Sequence, residues 1–95
     1  MGERHITFSG HAMRRMFQRG IAKADVVAII ADGETVEVYA DDQPYPSRLL
    51  SGTVGGRVLH VVVAEDATTR TYHVITAYAP DPDLWELDWR TRRAP

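Results

Sequence analysis

There is no cysteine in this 95-residue chain, so disulfides, thiolate metal sites and a cysteine nucleophile are all excluded. Lysine is almost missing too: among eleven cationic side chains only Lys23 is not arginine. No apolar run approaches the roughly 20 residues that span a bilayer, and the opening MGERHITF lacks a signal-peptide apolar core. The expectation is a cytoplasmic protein with no membrane partner. The four histidines and the carboxylates show no metal-ligand spacing, so neither a metal nor a cofactor is expected. Repeats and low-complexity segments are absent, and the length suits one domain over residues 1–95.

What is present is charge that is unevenly placed. The net charge of −2 gives no global attraction to a polyanion. Residues 1–20, however, carry four arginines against Glu3, while residues 21–45 carry six carboxylates against Lys23. A local basic face on a mildly acidic protein suits an anion site better than non-specific polyanion binding. Arginine's planar fork matches phosphate oxygens two at a time.

The chain opens with a short strand pattern, His5–Phe8. Ser9 follows as a helix N-cap, and the helix should stop at Gly20, a natural C′ residue. At 100° per residue, Ala12, Met13, Met16 and Phe17 form the apolar face. His11, Arg15 and Arg19 form a ridge at i, i+4 and i+8, and Arg14 lies on the same outer side. A basic helix face is more often solvated than functional. KADVVAIIAD (23–32) reads as a second helix, and both are short enough to need packing on a sheet.

Four strand patterns follow: 35–40, 47–54, 56–64 and 71–79, with Gly55-Gly56 as a hairpin signal. Between the first two, the P-Y-P-S loop bars a central strand. The expected fold class is α+β, with two N-terminal helices packed on a four-stranded antiparallel sheet. Simple alternation puts Tyr72, Val74, Thr76 and Tyr78 on one face of the last strand. The tail should add a helical turn docking Trp85 and Trp89 as a hydrophobic lid, and exposed sheet edges leave dimerisation open.

RNA cleavage without a metal needs a base, cations that stabilise the phosphorane, and an acid for the leaving oxygen. Histidine, arginine and tyrosine supply those chemistries near neutral pH. Their presence here is permissive. His60 and His73 fit sheet-surface or core-edge positions better than ligand positions.

The ordered motifs H-A-x-x-R-M-x-x-R-G-I, G-x-x-V-E-x-Y, P-Y-P-S, G-R-x-L-H-V-V-V and I-T-A-Y-x-P-D resemble a bacterial domain family of uncharacterised function, over roughly residues 9–82. That family is similar in fold to RelE-like toxins and to barnase-like, metal-independent ribonucleases. Its members are often encoded beside a zinc-finger or helix-turn-helix antitoxin. The resemblance implies a toxin-like endoribonuclease with RNA as substrate and an antitoxin as partner. It implicates His11, Arg15 and Arg19 on the first helix, Arg57 and His60 in the third strand, and Thr76 and Tyr78 in the fourth. In that scheme His11 is base or acid, Arg15 and Arg19 stabilise the phosphorane, and Tyr78 gives a proton or stacks on a base. Arg57, His60 and Thr76 bind substrate. Arg14 and Met13 fall at variable positions, and Ala22 replaces a common serine cap. The alternatives from other classes are a non-catalytic protein- or nucleic-acid-binding module and a toxin relative that has lost activity.

Overall fold

The computed structural model describes residues 4–94. The order is β1 (His5–Phe8), α1 (Gly10–Gln18), α2 (Lys23–Asp32), β2 (Glu34–Tyr39), β3 (Ser47–Val54), β4 (Arg57–Asp66) and β5 (Thr71–Tyr78). The fold is α+β with both helices on one side of the sheet, but the sheet has five strands, not four, in the order β1-β5-β4-β3-β2. The fifth is β1, which pairs parallel with β5 from His5↔Thr71 to Phe8↔Val74, while every other pairing is antiparallel. The correction has a physical cause. Short links build β2 to β5 as a meander, whereas β1 meets its partner only after the helices and three strands have folded between them.

Both ends of α1 are set locally. Ser9 Oγ accepts the Ala12 N–H at 3.0 Å. At the other end Gly20 takes φ 65°, Ile21 N bonds Met16 O at 2.9 Å and Gly20 N bonds Phe17 O at 3.2 Å, the paired bonds of a Schellman stop. Ile21 and Met16 are both buried, supplying the apolar contact that accompanies such stops. At α2, Ala22 offers no side-chain cap, and Asp25 Oδ2 accepts the Ala22 N–H instead at 3.2 Å. Gly55 and Gly56 both take positive φ, as a two-residue hairpin turn of the type I′ family requires.

The core lies between helices and sheet: Ala12, Met16, Val26, Ile29 and Ile30 meet Leu50, Leu59, Val61, Val63, Tyr72, Val74 and Ala77. Met13 and Phe17 do not join it as expected; Phe17 is 87% exposed. Helix α1 sits at the β5 margin of the sheet, so only its central stripe meets strand residues and its flanks remain in solvent.

Two further departures shape the opposite face. A bulge shifts the β4–β5 register from Val62↔Thr76 to Val63↔Val74, leaving Ile75 as the extra residue. Tyr72 and Val74 therefore face the helices, while Thr76 and Tyr78 join His60 on the other side. The tail forms no helical turn. Residues 80–94 run as an irregular strap with one isolated bridge, Trp85↔Arg92. Of the expected lid pair Trp85 is buried but Trp89 only half-buried, and Leu49, His60 and Ala64 are buried on this same face.

Candidate functional site

The resemblance points to residues that the fold distributes over three places. The first is the open edge of β5. Strand β1 ends opposite Val74, so residues 75–78 have no strand neighbour on that side among the described residues. Arg19, at the end of α1, reaches this edge: its Nη1 donates to Ala77 O at 2.9 Å and to Thr76 Oγ1 at 3.3 Å. Arg57, at the start of β4, meets the end of α1 from which Arg19 extends, donating to Arg19 O at 2.9 Å and Gly20 O at 3.1 Å. Its charge sits where the carbonyls of α1 leave a partial negative charge, so one guanidinium both closes the helix and brings a cation to the edge. Neither arginine has a carboxylate partner among the described residues. Each bond set leaves part of the five-donor fork unused.

Tyr78 lies at this edge on the strap side. Burial pushes its phenol up, while Arg92 and then Arg19 pull it down. The net direction is upward, so Tyr78 is protonated at neutral pH and can donate. Arg92 lies in the strap with its guanidinium 4.6 Å from the Trp85 ring centroid. The sequence alone does not single out Arg92, because the near-neutral charge of residues 81–95 hides an arginine that folding sets beside Tyr78.

The second place is the outer wall of α1. His11 and Arg15 are exposed on the ridge that ends at Arg19, and His11 stands about 12 Å along the helix axis from it at 1.5 Å per residue. Neither makes a side-chain hydrogen bond or ion pair among the described residues. Arg14 is likewise exposed.

The third place holds His60, fully buried beneath the strap. Its ring meets Trp85 edge-on at 4.7 Å and Tyr78 at 5.6 Å. Nε2 lies 2.8 Å from Trp89 O, so this nitrogen carries the proton, and buried Nδ1 has no partner. Burial lowers the His60 pKa, outweighing the Trp89 bond that raises it. A ligand could touch His60 only after the strap moved.

The edge thus brings together Arg19, Thr76 and Tyr78, with Arg57 at the adjoining end of α1. His11 and Arg15 lie outside it on the helix, and His60 is sealed from it. Among the described residues, no group of three or more His, Asp or Glu could hold a metal ion, and no helix is long and apolar enough to cross a membrane. No curated protein and no solved structure matches the chain. The family model described as "Domain of unknown function (DUF4258)" matches residues 8–79, from the end of β1 to just beyond β5, and the chain belongs to that family.

Proposed function

We infer that the open β5 edge binds the phosphate backbone of single-stranded RNA, and that the domain acts as a toxin-like, metal-independent endoribonuclease. The observation that carries this reading is that Arg19 grips Thr76 and Ala77 while Arg57 caps the adjoining end of α1, neither with a carboxylate partner among the described residues. Two guanidiniums beside a protonated phenol suit a phosphate oxygen pair and a leaving oxygen. Arg15 continues the cationic ridge along α1, and His11, exposed about 12 Å from Arg19, would act as base or acid on RNA that runs along this ridge. A cognate antitoxin would cover this same basic edge.

Burial of His60 favours a second reading, a non-catalytic RNA-binding module, because it leaves no accessible histidine beside Tyr78. Labelled single-stranded RNA, incubated with excess protein in EDTA, separates the two. Cleavage that disappears in His11→Ala and Tyr78→Phe establishes the nuclease. Salt-sensitive binding lost in Arg19→Ala, with RNA intact throughout, establishes the binding module. RNA that neither binds nor breaks overturns both.

A further inference from the structure

The P-Y-P-S loop and His73 take no part in the arginine edge, yet the fold brings them together. Tyr45 stacks on His73 with ring centroids 5.3 Å apart and 12° between the planes. Thr7 Oγ1, on β1, lies 2.7 Å from His73 Nδ1 and holds the imidazole in orientation. The stacked pair forms one wall of a cavity of about 410 Å³. The β5 bulge turns Ile75 outward to line it, and Pro44 and Ala64 complete the apolar surface. Asp42 also lines the cavity, and its carboxylate accepts a hydrogen bond from Ser47 Oγ through one oxygen.

We propose that the Tyr45–His73–Ile75 pocket is a nucleobase subsite taking an amino-bearing base of single-stranded RNA. This rests on the RNA reading of the neighbouring β5 edge. Four observations converge on that occupant. The volume falls in the range of small-ligand sites, and the lining is apolar with few polar groups. Parallel aromatic rings give a planar base a stacking platform. The free oxygen of Asp42 accepts a hydrogen bond, which matches the exocyclic amino group of cytosine, adenine or guanine and repels the carbonyl that uracil presents there. Finally, the bulge puts His73 and Thr76 on one strand face opposite Ala64 and Val62, two residues apart on β4, or about 7 Å at the strand rise. A phosphate held at Arg19 and Thr76 leaves a neighbouring base within reach of the pocket.

The test is an NMR titration of the labelled protein with cytidine and uridine, followed by affinity measurements on oligocytidylate, oligouridylate and an abasic oligomer. The expected result is that cytidine shifts the Tyr45 and His73 ring signals and uridine does so weakly. Oligocytidylate should bind about tenfold tighter than oligouridylate, and Asp42→Asn should erase that preference without unfolding an exposed loop. If all three oligomers bind equally with the ring signals unmoved, while Arg19→Ala weakens every one, the edge holds RNA and the pocket proposal is overturned. If cytidine moves the rings but Arg19→Ala changes no affinity, the pocket stands and the edge reading falls. Ring signals unmoved by any nucleoside or oligomer also overturn the proposal.

Discussion

His60 Nε2 lies 2.8 Å from the carbonyl oxygen of Trp89, and Trp89 adopts φ 60°. A left-handed backbone is costly for a bulky residue. Here it belongs to a tight turn, closed by Trp89 N to Glu86 O at 2.9 Å, from which the carbonyl reaches His60. Asp88 holds the other side of that turn by accepting the Arg90 and Thr91 N–H groups, which keep its carboxyl below the usual range.

Burial of His60, which outweighs the Trp89 bond, predicts an acid-sensitive fold. The histidine of an unfolded chain protonates near pH 6.5, whereas burial holds folded His60 below that value. Between the two, the unfolded state binds the extra proton, so stability falls as pH drops below about 6.5 and levels off once folded His60 is itself protonated. Asp88 titrates lower and leaves this window clear. Thermal unfolding from about pH 7 to 5 should show Tm declining for the native chain and a shallower decline for His60→Gln. Equal slopes would mean His60 is not held neutral by its burial.

Arg57 is predicted to serve both stability and binding. Removing its side chain in Arg57→Ala loses two charge-assisted bonds to the carbonyls ending α1, which are partly exposed and so cost about 1 kcal/mol. Arg57→Lys keeps the charge but cannot reach both carbonyls as a fork, and should recover RNA affinity better than stability. Urea unfolding and fluorescence anisotropy on the two variants measure these separately. Identical losses in both assays would show that the guanidinium acts only through the helix.

Much of this arrangement is legible in the residues themselves. Ser9, Gly20 and Gly55-Gly56 each force a local geometry, and α1 and the β3–β4 hairpin form where those residues place them. The partner of β1 is not legible, because parallel pairing joins segments some 66 residues apart that no local pattern connects. The face of Thr76 and Tyr78 depends on one extra residue. Adjacent Val74 and Ile75 break the strand's alternation, and that is the trace the bulge leaves in the sequence. The ridge periodicity places Arg19 correctly, but its meeting with Arg57 depends on how α1 lies against the sheet. His60 owes its seclusion to a strap whose polar, turn-rich sequence carries no periodicity.

Exposure of the flanks of α1 separates two adjacent apolar residues. Met16 is 2% exposed and Phe17 is 87% exposed. Met16→Ala should cost about 2–3 kcal/mol through lost transfer energy and a cavity under the helix. Phe17→Gln should change stability by less than about 0.5 kcal/mol, since no packed neighbour is lost. Chemical denaturation of both variants decides the point. A large loss in Phe17→Gln would place its ring in the core, as helical periodicity alone would have it.

Arg70 closes the β4–β5 turn at φ 54°, with its side chain exposed and its carbonyl accepting the His5 N–H at 3.0 Å. Its left-handed backbone carries a steric cost that glycine does not have, while the carbonyl that joins β1 to the sheet belongs to the main chain. Glycine at this position also gains disorder in the unfolded chain, which offsets part of the relief. The net expectation for Arg70→Gly is a stabilisation of about 0.5–1 kcal/mol, read as a rise in Tm. Arg70→Val should do the opposite, because a β-branched side chain resists positive φ most strongly. Equal Tm values for the two variants would show that the turn relaxes out of the left-handed region at no cost, and that the grip on β1 does not depend on it.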